Sequence, residues 1–159
     1  MQLLDTDADI AAQFRSATVV AVDDSPPAAA ALRFAATLCR RTDVTLHVLM
    51  IWNVLIGSWL RIPGDRPPTE AERQAEAARV LADFVKVTLD DGDHPPMLLH
   101  AIHGNVQPLL REISAEAAHM IVGSRGRGGV ADLLLGSTSA DLVDHARCPV
   151  TVVPTVEEG

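Results

Sequence analysis

Glycine and hydroxyl residues are concentrated in the stretch GSRGRGGVADLLLGSTSADL, residues 123–142. Five glycines lie within its first fourteen positions, and the run Ser-Thr-Ser follows. Because glycine has no Cβ and adopts positive φ readily, a ligand can lie directly against its backbone. Consecutive N–H groups in such a loop form a concave nest that binds anions. The first half of the stretch is therefore a candidate anion-binding loop, to which Arg125 and Arg127 would add positive charge.

The second half places Gly136, Ser137, Thr138 and Ser139 at the start of a helix predicted over about 137–146. Free N–H groups, hydroxyls and the helix dipole favour a phosphate at such a position. The same pattern is typical of a plain strand-to-helix turn closed by an N-cap, and the residues by themselves leave both interpretations open. The chain lacks G-x-x-x-x-G-K-[ST] and has no G-x-G-x-x-G after its first strand, which excludes a P-loop and a standard dinucleotide site.

A second polar cluster, Asp23-Asp24-Ser25, ends the buried strand predicted over 17–23. In open α/β sheets, ligands bind beyond the carboxyl ends of the strands, where the strand order reverses. If the strands that end at Asp23 and Gly123 are neighbours, their loops flank a single crevice. Asp23 is then a candidate ligand contact, and its alternative role is that of a turn or helix-capping residue.

Apolar runs rich in β-branched residues alternate with segments of helical periodicity, as expected for strands buried on both faces. The predicted strands cover 17–23, 44–52, 97–103, 119–123 and 148–154. This alternation predicts an α/β fold with one domain over 17–156, built on a mostly parallel sheet with helices on both faces. Residues 1–16 are predicted to form a flexible N-terminal arm, and residues 53–68 a loop.

Two helix starts have specific signatures. Ser25 followed by Pro26 predicts an N-cap and the first helical position. Thr69 and Glu72 have the spacing of a capping box in front of a helix of about twenty residues. The buried stripe of that helix is predicted at spacings of three and four residues, at Ala71, Ala75, Ala78, Ala82, Val85 and Leu89.

Composition excludes several classes of function. The chain has 159 residues, of which 48% are hydrophobic, and a net charge of −8, which disfavours nucleic acid as a partner. No apolar run approaches the roughly 20 residues of a membrane helix, and the acidic N-terminus does not resemble a signal peptide, so a cytoplasmic protein is expected. Cys39 and Cys148 lack metal-ligand spacing, and His100 and His103 should face opposite sides of a strand, so no metal site is predicted.

The chain contains Gly123-x-x-Gly126, followed after nine residues by Gly136-Ser137. This spacing resembles the G-x2-G-x9-G-[ST] motif of the universal stress protein family, in its nucleotide-binding branch. The runs VVAVDDS, LHV, HGN and HARCPVTVVP also resemble family segments, so that the similarity covers roughly residues 17–154. The resemblance implies an adenine nucleotide α-hydrolase-like fold: a five-stranded parallel sheet of order 3-2-1-4-5, with the first and fourth strands side by side.

The resemblance also implies a role for each residue that matches the family's site. Asp23 would lie near the ribose, the backbone of Val48 would line the adenine pocket, and Val122 and Gly123 would lie along adenine and ribose. The phosphates would be enclosed by the remaining residues, which are Gly126, Arg127, Gly136, Ser137 and Thr138. A Mg²⁺ ion would bridge the phosphates rather than occupy a protein cage.

Two positions depart from the family pattern. Asp24 stands where the family often has glycine, and it brings a second negative charge near the expected anion. The acidic residue that often precedes the fourth strand is missing, since Ala118 and His119 occupy that region.

The resulting hypothesis is an ATP-binding, nucleotide-dependent regulator or sensor of the stress response that forms a homodimer through residues 148–154. The alternative is a nucleotide-free dimeric stress protein that acts as an interaction module. No general base or activated nucleophile is evident, so no catalytic residue is assigned, and at most slow ATP hydrolysis or self-phosphorylation at 137–139 is expected. An adenylating enzyme of a related fold is disfavoured, because its phosphate loop would follow the first strand.

Overall fold

The computed structural model describes residues 7–53, 66–126 and 135–155. Its centre is a parallel sheet of five strands in the order β3-β2-β1-β4-β5, which confirms the predicted order. The strands are β1 (Thr18–Ala21), β2 (Leu46–Trp52), β3 (Met97–His103), β4 (His119–Gly123) and β5 (Val150–Val153). The chain passes outward from β1 to β3 and then returns to the other side of β1 with β4. The order therefore reverses between β1 and β4, and a crevice opens at their carboxyl ends.

Helices cover both faces of the sheet, as predicted. They are α1 (Asp7–Ala12), α2 (Pro26–Thr42), α3 (Glu70–Leu89), α4 (Val106–Glu116) and α5 (Ser137–His145). One apolar core lies between the sheet and the pair α2 and α3, and a second lies between the sheet and α1, α4 and α5. No helix in the described ranges is long and apolar enough to cross a membrane.

The two helix-start signatures are confirmed, and the predicted stripe of α3 is confirmed at Val85 and Leu89 but wrong at its four alanines. The Ser25 hydroxyl accepts from the Ala28 amide, and Thr69 and Glu72 form a complete capping box. The buried residues of α3 are Ala77, Leu81, Val85 and Thr88, whereas the alanines at 71, 75, 78 and 82 are exposed. Alanine fits either face of a helix at little cost, so the larger side chains decide which face is buried.

The N-terminal region differs from the predicted flexible arm over residues 7–16. These residues form α1 and a turn, and the side chains of Ala11 and Phe14 are buried against α4 and the sheet. The Ser16 amide donates to the Glu116 carbonyl at 2.9 Å, which connects the turn to the end of α4. The spacing of Ile10, Ala11 and Phe14 is that of a short apolar helix face, and acidic neighbours conceal it in the sequence. Residues 1–6 lie outside the described part of the chain.

Candidate functional site

A cavity of about 250 Å³ opens at the carboxyl ends of β1 and β4, where the crevice was expected. It is bordered by the end of β1, the end of β4, two side chains of β2, the first turns of α4 and the start of α5. Among the residues lining it are seven predicted site residues: Asp23, Val122, Gly123, Gly126, Gly136, Ser137 and Thr138. Predicted residue Arg127 lies outside the described residues.

One wall of the cavity is apolar. It is formed by side chains of β2 and α4, namely Leu49, Ile51, Val106 and Leu110. Leu49 and Leu110 are each only 1% exposed, so this wall continues directly into the core on the α4 face of the sheet. Such a surface suits the flat, apolar faces of an aromatic ring system.

Val48 is not among the residues that line the cavity. Its side chain is fully buried on the opposite face of the sheet, in the core beneath α2. Since successive side chains of a strand point to opposite faces, the neighbours Leu49 and Ile51 reach the cavity instead. The sequence analysis missed these two residues and the α4 residues Val106 and Leu110. Alternation along β2 was the signal that could have found the first pair.

The other wall is polar and is formed by the two ends of the glycine-rich stretch. The Gly136 amide donates to the Ser124 carbonyl at 2.7 Å, and the Ser139 hydroxyl donates to the same carbonyl at 2.9 Å. Gly136 is the N-cap of α5, and no side chain caps the first turn of that helix. Ser137, Thr138 and Ser139 of this turn all line the cavity, and Ser139 is only 2% exposed. The Ser139 hydroxyl is engaged by the carbonyls of Ser124 and Gly136, so the hydroxyls of Ser137 and Thr138 are the ones that can face a ligand.

The glycines at 123 and 126 are required by close contacts within the protein. A Cβ on Gly123 would lie 2.7 Å from the Pro27 carbonyl oxygen, so the end of β4 can approach the start of α2 only without a side chain. A Cβ on Gly126 would lie 2.7 Å from Oδ2 of Asp23. The motif therefore brings the loop after β4 against the loop after β1, which closes the crevice at this end.

Asp23 combines the two roles that the sequence left open. Its Oδ1 accepts from the Ser25 amide at 3.2 Å and from the Ser25 hydroxyl, and this hydroxyl in turn accepts from the Ala28 amide at 3.3 Å. The carboxylate therefore supports the N-cap of α2 and also lines the cavity. The next residue, Asp24, has a φ of 61°, in the left-handed region that glycine adopts most easily. This geometry explains why a glycine would suit the position, and aspartate is among the residues that tolerate it.

Polar contacts between α4 and α5 hold the two sides of the cavity together. Arg111 binds both carboxylate oxygens of Asp141, through its Nε at 2.9 Å and through Nη2. The hydrogen bonds from this guanidinium lower the pKa of Asp141. The Gln107 amide also donates to the Ser137 carbonyl, at 3.4 Å, near the start of both helices. The start of α5 is thus positioned by α4 as well as by Ser124.

The remaining titratable groups do not assemble into a metal site in the described ranges. No group of three or more His, Cys, Asp or Glu side chains with a metal-binding arrangement occurs there. His100 packs on Phe14, whereas His103 stacks on Trp52, which belongs to the opposite face of the sheet. The sequence analysis missed the partner of His100, which is His47 on the adjacent strand.

Comparisons with known proteins agree with this architecture. The model of the universal stress protein family matches residues 16–154. A universal stress protein of Mycobacterium tuberculosis, Rv1996, is 32% identical over 149 residues, covering 86% of this chain and 47% of that protein. The chain thus spans about half the length of the curated relatives it matches.

Solved structures show the same fold at lower sequence identity. UspA from Lactobacillus plantarum matches with a TM-score of 0.63 and 22% identity, covering 87% of this chain and 98% of that one. A universal stress protein in complex with cAMP matches with a TM-score of 0.59 and 21% identity, covering 89% and 99%. From the family match and the relatives, together with its sheet order, the chain belongs to the universal stress protein family.

Proposed function

We propose that the chain binds ATP in the cavity between β1 and β4 and acts as a nucleotide-dependent regulator or sensor in the stress response. The observation that carries this proposal is the division of one cavity into an apolar wall and a wall of main-chain N–H and hydroxyl groups. An adenine ring and a phosphate chain require these two environments at the same time. A structural neighbour solved in complex with cAMP supports an adenine nucleotide as the ligand class.

In this proposal the base packs against the wall formed by Leu49, Ile51, Val106 and Leu110. Asp23 lies beside Gly126 with Oδ2 at the cavity and is placed to accept from the ribose hydroxyls. The phosphates lie at the uncapped first turn of α5, where the helix dipole and free N–H groups favour negative charge.

Charge in the cavity supports a phosphate bound together with a cation. Arg125 is the one cationic side chain among the described residues that line the cavity, and Asp23 is the one carboxylate there. A triphosphate therefore brings more negative charge than the described lining residues can balance. A Mg²⁺ ion bound with the phosphates would supply the difference, and it would need few protein ligands because it retains waters.

The cavity favours binding over catalysis. Its single described carboxylate, Asp23, has Oδ1 engaged by both the amide and the hydroxyl of Ser25, which leaves that oxygen poorly placed to accept a proton from an attacking water. The second candidate function is a nucleotide-free interaction module. Both functions are compatible with a homodimer through residues 148–154, where β5 is an edge strand whose four residues are all half-buried.

Nucleotide bound to the purified protein tests the proposal directly. The protein is purified without added nucleotide and denatured, and the supernatant is analysed by mass spectrometry. Calorimetric titration of nucleotide-free protein with ATP and Mg²⁺ follows. We expect adenine nucleotide in the supernatant or saturable binding, and the absence of both at millimolar ATP would favour the interaction module.

A Gly136→Asp variant tests the placement of the phosphates. Aspartate is a good N-cap and Gly136 has an ordinary φ of −71°, so α5 should still form, although the new Cβ would lie 3.3 Å from Cα of Arg125 and requires a small shift there. The new carboxylate would repel the phosphate. We expect a loss of affinity of at least about tenfold, because a like-charge contact costs on the order of several kcal/mol. The matched control is Gly92→Ala, since a Cβ at Gly92 has no neighbour closer than 3.6 Å and lies far from the cavity. Unchanged ATP affinity in Gly136→Asp would show that the phosphates bind elsewhere.

A further inference from the structure

Two histidines meet on neighbouring strands, away from the residues that line the cavity. Nδ1 of His47 on β2 lies 3.1 Å from Nε2 of His100 on β3, and the rings are within 5° of parallel. The two nitrogens share one hydrogen, because one ring donates its N–H and the nitrogen of the other ring accepts it. The bond therefore exists only while at least one ring is neutral.

Phe14 covers this histidine pair. The Phe14 side chain is completely buried, and its ring centroid lies 4.6 Å from that of His100 and 5.8 Å from that of His47. Phe14 belongs to residues 9–17, which we call the N-terminal segment, and these residues precede β1. The side-chain ion pair that joins this segment to α4 is between Arg15 and Glu116, and the Arg15 side chain is 72% exposed, so the pair adds little. The packing of Phe14 on the two rings is thus one attachment of the segment, beside the burial of Ala11 and the hydrogen bond from the Ser16 amide to the Glu116 carbonyl.

Little in the surroundings would compensate a positive charge on the pair. The elements packed on this face, α5 included, carry the following titratable or charged side chains in the described ranges: Asp9, Arg15, Arg111, Glu112, Glu116, His119, Asp141, Asp144, His145 and Cys148. Arg15 is paired with Glu116 and Arg111 with Asp141, while His119 bonds to Thr151. In the described ranges no carboxylate lies within ion-pair distance of either ring, and the strand positions on either side of His100 on the same face are leucine and isoleucine. Burial lowers the pKa of His47, and burial together with His47 lowers that of His100 to about 4.

We propose that the His47–His100 pair makes attachment of the N-terminal segment depend on pH. When a second proton from solvent binds the pair, the N–H···N bond is lost and two positive rings face each other beneath Phe14. The two half-buried rings then require hydration on the side that Phe14 covers, so the segment detaches from the sheet. This property is independent of nucleotide binding. Most of the N-terminal segment precedes residues 16–154, the part of the chain that matches the family model.

The direction of the pH dependence follows from linkage. Both imidazoles have lower pKa values in the attached state than in the detached state, so the detached state binds protons more tightly. Attachment is complete above about pH 6.5, the ordinary pKa of histidine, and is lost progressively as the pH falls toward about 4.

Hydrogen exchange of the intact chain tests the proposal. Protection factors, which correct for the intrinsic pH dependence of exchange, are measured for amides 9–17 and for amides of β1 and β4. Protection in the N-terminal segment should fall by about tenfold per pH unit for each proton taken up below about pH 6.5. Amides of β1 and β4 should change much less. Flat protection of the segment, or an equal loss in the two strands, would overturn the proposal.

Variants identify the groups that titrate. In the double variant His47→Gln, His100→Gln, both side chains can still form hydrogen bonds but cannot take up a proton, so the pH slope of the segment should disappear. The matched control is His103→Gln on the same strand but the opposite face, which should keep the slope. A slope that survives in the double variant excludes the pair as its origin.

If the double variant does not fold, an NMR titration of the unaltered protein answers the same question. The ring protons of His47 and His100 should titrate with midpoints below those of exposed histidines, and their contacts to the Phe14 ring should disappear over the same pH range. Contacts to Phe14 that persist after both rings are charged would contradict the proposal.

Discussion

The two faces of the sheet are covered by different kinds of contact. The face under α2 and α3 is filled by apolar side chains such as Leu32, Val48 and Leu81, each at most 1% exposed. The face under α1, α4 and α5 also has an apolar core, but it holds the cavity, the Arg111–Asp141 ion pair and the half-buried histidine pair.

This difference separates stability from function within one small domain. A cavity in a continuous apolar core lowers the free energy of unfolding, because the side chains around it lose packing contacts. The side that carries a cavity must instead be held by discrete polar bonds around its opening. We therefore expect substitutions beneath α2 to affect unfolding alone, and substitutions beneath α4 to affect unfolding and ligand binding together.

The same truncation on the two faces should give the largest effects. Leu32→Ala removes a completely buried side chain, and we expect the free energy of unfolding to fall by about 3 kcal/mol, with the affinity for ATP unchanged. Leu110→Ala should cost less stability, because Leu110 already borders a cavity, but it should weaken ATP binding severalfold. Urea unfolding and calorimetric titration measure the two quantities. Equal effects of both variants on ATP affinity would abolish the distinction between the faces.

The ion pair between α4 and α5 should have a smaller effect that depends on pH. The guanidinium of Arg111 lowers the pKa of Asp141, so the stabilisation is complete above the ordinary aspartate pKa and is lost as the pH falls through the lowered pKa. Asp141→Asn should therefore be less stable than the unaltered protein at pH 7, and the difference should vanish in strong acid. Urea unfolding at several pH values measures it, with the exposed Asp144→Asn on the same helix as control. A difference that is constant down to strong acid would mean that the charge of Asp141 does not contribute.

The smallest effect should come from the capping box of α3, on the other face. Thr69→Ala removes the hydroxyl that accepts from the Glu72 amide at 3.2 Å, and we expect a loss of about 1 kcal/mol and no change in ATP affinity. Thermal unfolding followed by circular dichroism measures it, and Thr69→Ser should retain most of the stability. A Thr69→Ser variant as unstable as Thr69→Ala would show that the hydroxyl bond is not what stabilises the helix start.

Much of the fold and part of the site could be predicted from local patterns. Apolar runs of strand length defined the alternation, and the G-x2-G-x9-G-[ST] spacing indicated which two strand ends lie together. Seven of the nine predicted site residues line the cavity because they follow directly from that spacing and from the end of β1. Their contacts with a ligand stay a prediction.

The remaining features depend on the face of the strand or helix on which a side chain lies. Small or isolated residues in the sequence give little information about this orientation. Val48 was predicted to line the adenine pocket with its backbone, which stays a prediction, whereas the residue of this region that lines the cavity is its neighbour Leu49, in a strand with apolar residues on both faces. The four exposed alanines of α3 are compatible with either face of the helix. The contact of Phe14 with His47 and His100 joins residues far apart in sequence, so no local pattern could indicate it.

The carbonyl of Ser124 has a consequence for protein engineering. It accepts from both the Gly136 amide and the Ser139 hydroxyl, so two hydrogen bonds join the residue after β4 directly to the start of α5. Ser139→Ala would remove one of these two bonds and leave Ser137 and Thr138 unaltered, which makes position 139 a means of tuning ligand affinity by design.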